Sequence, residues 1–294
     1  YFHPPIAEFA AKCGVHVLSE KPIAVSVGAA DKMVNACQEN NVFLGVMFQQ
    51  RTEPLRLKMK TIIESGELGE IHRVSMSAPW YRPQAYYDSG AWRGTWKGEG
   101  GGILMNQAPH SLDQFLWLGG APQKIQAIAS TRWHSIEVEN LAMAIMDYGD
   151  GKVGSLYAST AEVPGGERIE IAGDNGVLVF DGKLRFYELE QPLREHLTTS
   201  SGMFDHPKGY WRDIEVENGG GGHNEVIRAF ARAVRDNDAS QMIADGEDGL
   251  RALELANAIL LAGYTRREVQ LPLSRPRYER MLKLLQRGEF QTAQ

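Results

Sequence analysis

The first fifty residues alternate between two hydrophobic periods. Apolar positions three and four apart predict helices over Pro4 to Cys13 and Val27 to Asn40, and short continuous apolar runs predict strands over Val15 to Ser19 and Val42 to Phe48. Such alternation is the grammar of a parallel sheet joined by crossover helices. The pattern changes after Arg51. A helix over Pro54 to Ser65 leads through Gly66-Glu67-Leu68-Gly69 into a strand over Ile71 to Ala78. An aromatic segment, Trp80 to Trp96, and a glycine cluster, Gly98 to Gly102, come next. The apolar stretch Ile103 to Leu118 predicts a helix, with Pro109 marking either its start or a kink. Between Pro122 and Leu189 lie about six strand-like runs separated by Gly, Asp and Asn turns, among them Leu141 to Tyr148, Lys152 to Thr160, Arg168 to Ala172 and Val177 to Phe180. Helices return at Asn224 to Arg235, Gly246 to Tyr264 and Arg277 to Gln286, while Thr198 to Gly222 is glycine-rich and unpatterned, predicting a surface loop or lid. The expected fold class is α/β: a parallel-sheet part over residues 1–51, then an α+β domain over residues 52–294 with a large, mostly antiparallel open sheet.

Composition narrows the partners. A chain of 294 residues, 43% hydrophobic, supports two domains with a large core. A formal charge of -6 without any basic run argues against nucleic acid and against an anionic membrane surface, leaving a small neutral or anionic metabolite. Cys13 and Cys37, the only cysteines, both fall on predicted amphipathic helices. A structural disulfide and a cysteine-based metal site are therefore not expected, and the reading is a reducing, cytoplasmic location. No stretch approaches the roughly 20 apolar residues of a membrane span, and no signal peptide is visible. The sequence opens Tyr1-Phe2-His3-Pro4-Pro5, without Met, as a chain does when it begins inside a domain.

Two positions carry candidate chemistry. Glu20-Lys21-Pro22 directly follows the strand ending at Ser19; the proline stops that strand where it leaves the sheet, at the carboxyl end where open α/β sheets bind ligands. His110 stands four residues after Asn106 and three before Asp113, so in a continuous helix all three would share one face. Each has a plainer alternative: Lys21 as a surface lysine after a turn, His110 as a hydrogen-bonded core histidine, and Asp113 as a cap or a partner for Arg93.

Together these segments carry a resemblance. His3, Gly14-x-His-Val-Leu-x-Glu-Lys-Pro22, Gly66-Glu67-Leu68-Gly69, Trp92-Arg93 and Gly100-Gly101-Gly102 with His110 and Asp113, in that order, resemble the Gfo/Idh/MocA family of nicotinamide-dependent sugar and inositol oxidoreductases. The resemblance implies an amino-terminal Rossmann domain, of which residues 1–51 would be the carboxyl-terminal remainder, and a second α/β domain whose open sheet forms a homodimer or homotetramer. The glycine-rich dinucleotide fingerprint does not occur in these residues, so the 294 residues alone are expected to bind NAD or NADP weakly or not at all.

The resemblance also implies roles. Lys21 would lie beside the nicotinamide and hydrogen-bond the reacting hydroxyl, and His110 would act as general acid or base, with an ordinary pKa suited to neutral pH. Many members carry aspartate four residues before this histidine; here the position is Asn106, which can orient a hydroxyl but cannot exchange its proton. His3, Glu20, Pro22, Gln49, Trp92 and Arg93 would shape the cofactor cleft. Arg51, Tyr86, Tyr87, Trp96 and Asn106 would face the carbohydrate or polyol substrate, although the aromatic segment could equally be core packing. No metal is implied. The expected activity is NAD(P)-dependent oxidation or reduction at a secondary alcohol of a sugar, inositol or related polyol. The alternatives are a glycosidase that uses transient oxidation and a non-catalytic sugar or dinucleotide sensor.

Overall fold

A computed structural model describes residues 1–217 and 219–291. Its elements in chain order are α1 (His3–Lys12), β1 (Val17–Ser19), α2 (Val27–Glu39), β2 (Leu44–Val46), α3 (Pro54–Glu64), β3 (Ile71–Pro79), α4 (Gln84–Asp88) and α5 (Pro109–Gly119). Six strands follow: β4 (Lys124–Ser130), β5 (Leu141–Asp147), β6 (Val153–Ser159), β7 (Arg168–Gly173), β8 (Gly176–Phe180) and β9 (Leu184–Leu189). The remainder comprises α6 (Leu193–Thr199), β10 (Gly209–Ile214), α7 (His223–Asp236), α8 (Gly246–Thr265), β11 (Val269–Gln270) and α9 (Arg275–Arg287).

Strands β1 and β2 pair in parallel, Val17 with Leu44 and Ser19 with Val46, and α1 and α2 pack against each other beside them. Strand β1 therefore delivers Glu20 and Lys21, and β2 delivers Phe48 and Gln49, to the same end of one sheet. The second sheet has nine strands in the order β10-β9-β8-β7-β3-β6-β5-β4-β11, antiparallel except for the parallel pair β3 and β6. Strand β5 alternates strictly: Ala142, Ala144 and Met146 are buried while Met143 and Ile145 face outward. The inner face packs against α5 and α8; the outer face carries Ile128, Met143, Ile145 and Val153, each about half exposed.

Helix α8 ties the two sheets together. It begins with a capping box between Asp245 and Asp248 and is buried nearly all round, as a helix sandwiched on several sides must be. It packs on β4, α5, α2 and β2, and residues just before it reach the small sheet: Val46 donates its N–H to the Ala244 carbonyl at 3.1 Å, and Gly45 bridges to Asp245.

Two expected elements differ. The apolar stretch from Ile103 forms irregular turns up to Ala108, and helix starts only at Pro109, the position where a missing N–H costs nothing. The segment expected to be a loop or lid contains the end of α6 and strand β10, which adds to the sheet edge by pairing Gly209 with Leu189 and Ile214 with Leu184. Position 218 in that segment lies outside the described residues. No helix among the described residues is long and apolar enough to cross a membrane.

Candidate active site

A cleft of about 290 Å³ opens at the carboxyl end of β1, lined by Tyr1, His3, Lys21, Pro22, Trp92, Glu99 and Asn106 among others. Its floor is held by hydrogen bonds from several segments. His3 Nδ1 contacts the Pro22 carbonyl at 2.9 Å, and the Lys21 ammonium donates to the Asn106 carbonyl at 3.1 Å. Lys21 is mostly buried, and loss of hydration lowers its pKa, partly offset by the carboxylate of neighbouring Glu20, which is itself exposed.

His110 is the second residue of α5. Gln49 brings its amide to Nε2 at 3.2 Å, and the ring lies edge-on to Phe48 at 6.0 Å. Nδ1 is buried without a partner in the protein. Desolvation, followed by repulsion from Lys21, His223 and Arg56, drives the imidazole pKa down to about 3. This differs from the near-neutral value expected of an ordinary histidine: a half-buried ring ringed by cations stays neutral.

Other expected site residues divide into two groups. Trp92 and Arg93 do reach the cleft region: the Arg93 guanidinium lies 4.3 Å from the Trp92 ring and 4.4 Å from the Tyr86 ring, and it donates to the Tyr86 hydroxyl at 2.6 Å. Arg51, Tyr87 and Trp96 do not face a ligand. Arg51 is 6% exposed and fully engaged, with Nε and Nη2 on the Asp113 carboxylate and Nη1 on Asp248 at 2.9 Å and on the Ile243 carbonyl at 3.3 Å. Burial pushes the Asp113 carboxyl up to about 6 against the pull of Arg51, so it remains ionised at neutral pH and holds the bidentate pair. Asp113 is thus the partner of Arg51, not of Arg93. Tyr87 is buried with its hydroxyl 2.7 Å from that of Thr160, and Trp96 is buried with its indole N–H on the Glu137 carbonyl. Both belong to the core, because each spends its polar atom inside the protein.

Three groups went unremarked in the sequence, and a fourth, His223, reads there as a loop histidine with no clear partner. Glu99 lies in the cleft, accepting from the Asn106 amide and, at 2.6 Å, from the Gly94 N–H. Glu139 is fully buried beneath the glycine cluster, and its carboxylate accepts from the N–H groups of Gly102 at 2.9 Å and Leu104 at 3.1 Å. Arg56 and Glu167 form a buried ion pair at 2.6 Å, and His223, at the start of α7, stands near enough to repel His110. The glycines around Glu99 hint at a tight turn, but no local pattern says which distant carboxylate fills it.

An ammonium in the cleft can hold an alcohol oxygen and a neutral imidazole can accept a proton, and together these are the equipment of an oxidoreductase acting on CH–OH. Residues 1–48 match the model of an oxidoreductase family with an NAD-binding Rossmann fold, and residues 57–179 match the GFO/IDH/MocA C-terminal domain. A solved relative, the WlbA dehydrogenase from Bordetella pertussis in complex with NADH and UDP-GlcNAcA, is 30% identical with a TM-score of 0.75, over 92% of this chain and 76% of that one. Among curated relatives, the scyllo-inositol 2-dehydrogenase (NADP(+)) of Bacillus subtilis is 23% identical over 88% of this chain and 73% of its own length. The myo-inositol 2-dehydrogenase of Thermotoga maritima is 22% identical over 92% and 76%. The chain belongs to the Gfo/Idh/MocA family of oxidoreductases.

Proposed function

We propose that the protein is an NAD(P)-dependent dehydrogenase or reductase acting on a secondary alcohol or ketone of a sugar, inositol or related polyol, with Lys21 and His110 as its catalytic residues. The observation that carries this reading is their convergence: Lys21 and His110 lie 89 positions apart by number, yet the Lys21 ammonium donates to the carbonyl of Asn106, four residues before His110. The cleft beside Lys21, walled by Trp92 and Asn106, fits a nicotinamide ring and an alcohol. A bound nicotinamide supplies the hydride acceptor or donor. Lys21 holds the substrate oxygen, and its ammonium, poorly hydrated where it sits, stabilises the alkoxide-like charge that develops there. Neutral His110 is the group that accepts the hydroxyl proton during oxidation and returns it during reduction, a role that requires bound ligands to raise its pKa from about 3 toward neutrality. His3, Pro22, Gln49, Trp92 and Arg93 shape the cofactor side, with Glu20 at its rim, while Tyr86 and Asn106 face the substrate. Residues 1–51 form the cofactor side of this division and residues 52–294 the substrate side.

The half-exposed apolar outer face of the large sheet supports a homodimer or homotetramer built through it. Two free cysteines, Cys13 exposed and Cys37 buried, suit a reducing cytoplasmic setting.

The test is a panel of sugars, sugar nucleotides and inositols assayed with NAD and NADP on the full polypeptide. Lys21→Ala and His110→Ala are each expected to lower kcat by about 10²- to 10⁴-fold while NADH affinity changes little. Unaltered turnover in both variants would overturn the assignment.

A further inference from the structure

We infer that Glu99 is a positioning residue that fixes which end of the Asn106 amide faces the cleft, making Asn106 a hydrogen-bond acceptor beside Lys21. The inference rests on the dehydrogenase reading only for its kinetic consequence. An asparagine amide presents an acceptor at one end and two donors at the other, and the two ends have nearly the same shape. What it offers a ligand is therefore decided by what binds its far end. Here the far end is Nδ2, which donates to Glu99 Oε1.

The carboxylate cannot exchange that role. Its other oxygen already accepts the Gly94 N–H at 2.6 Å, so an ionised Glu99, being acceptor-only, requires a donor from Asn106. The backbone of Asn106 is also committed: its carbonyl accepts from the Lys21 ammonium, and its N–H donates to the Gly102 carbonyl at 3.0 Å. Oδ1 is then the one polar atom of Asn106 with no partner among the described residues, and it is not among the fully buried atoms. It belongs to the wall that also carries Lys21. A hydroxyl lying against Lys21 can accept from the ammonium and donate to Oδ1, a pairing that suits an alcohol and rejects a group without a hydrogen to give.

Ionisation of Glu99 gates this arrangement. Protonated Glu99 gains an O–H, and the amide is then free to turn and present Nδ2 instead. Burial raises the Glu99 carboxyl above its ordinary value, opposed by the Gly94 N–H, the Asn106 amide and the Arg93 charge; the other charged and titratable groups that face it are the cleft residues Lys21 and His3, with Glu139 and Tyr87 behind it.

Two measurements test this. In ¹⁵N-labelled protein, the Asn106 side-chain amide signal, assigned by its loss in Asn106→Asp, should shift with a single carboxyl titration that disappears in Glu99→Gln. A signal that does not move with pH, or that titrates equally in Glu99→Gln, overturns the inference whether or not any substrate turns over. In kinetics, Glu99→Gln should lower kcat at least about tenfold with KM changed less than about threefold, because glutamine can match only one of the two donors. Adding Asn106→Asp to Glu99→Gln should restore kcat to within about threefold of wild type, since a carboxylate accepts whichever way it turns. Asn106→Asp alone, with two carboxylates in contact, should be worse than the double variant. A double variant no better than Glu99→Gln overturns the positioning role. Absence of turnover in the wild type with every polyol would count against the dehydrogenase reading instead, and the amide titration would still decide the role of Glu99.

Discussion

Burial moves two titrating groups of this protein in opposite chemical senses, and the pH response follows from each. Glu139 has its carboxyl raised to about 7 by complete desolvation, which the N–H groups of Gly102 and Leu104 only partly offset. Between the ordinary value of 4.5 and about 7, the folded state keeps a proton that the unfolded chain releases. The stability this gives is fully present below the lower value and is lost as pH rises through the upper one. Denaturation of wild type and Glu139→Gln between acid and mildly basic pH should show the wild type losing ground to the variant as pH rises; a pH-independent difference would refute the assignment. His110 acts the other way. Its pKa, depressed to about 3, favours the folded state above 6.5 and costs stability as pH falls toward 3. Lys21 and His110 were legible in the sequence because their residue types and flanking motifs announce chemistry. Arg51 was not, because nothing local shows that Asp113 and Asp248 will close on its guanidinium, and a buried arginine with three acceptors has nothing left for a substrate.

The elements that could be read were those with a clear hydrophobic period or a continuous apolar run. Parallel β1 and β2, strands β5 to β8 and helices α7 to α9 lie close to the expected spans, and six strands, β4 to β9, fill the stretch where about six were expected. The segment from Ile103 to Ala108 defied its own hydrophobicity. Its N-terminal N–H groups are taken by the Glu139 carboxylate, and the Ile103 N–H goes to the Glu139 carbonyl at 3.0 Å, so the backbone is drawn toward the sheet before a helix can propagate. Strand β10 was hidden for a different reason: it is a mostly exposed edge strand, so its sequence carries little alternation. Gly102 shows how tightly the Glu139 contact is drawn. A Cβ there would run into the Glu139 carbonyl oxygen, a backbone atom that cannot step aside. Gly102→Ala should therefore destabilise the protein by about 1–3 kcal/mol, read as a lowered denaturation midpoint, and should weaken the Lys21–Asn106 contact built on the same loop. A variant as stable as wild type would mean that the loop has room to shift.

Across the whole molecule, the large sheet has one face committed and one uncommitted. Cross-strand neighbours on the outer face, Ile128 beside Met143 and Met143 beside Tyr157, make a continuous apolar ladder that a second copy would cover. Introducing charge there, as Met143→Glu with Ile145→Lys, should convert the assembly to monomers in sedimentation velocity without lowering the denaturation midpoint of the monomer. A monomeric wild type would remove the proposal.

Helix α8 also sets an order of events. Asn257 accepts the Val27 N–H at 3.1 Å, Asp248 holds Arg51, and Arg275, at the start of α9, grips Asp31 at 2.9 Å. Residues near position 30 are thus locked by residues more than 200 positions later. During synthesis, Lys21 leaves the ribosome long before the residues that fix its surroundings, and the apolar side chains of Ile23, Val25 and Val27 wait uncovered until α8 arrives. The cleft around Lys21 is complete only once α8 and α9 have been made, so a chain that stops before residue 246 carries Lys21 and His110 without the packing that fixes them.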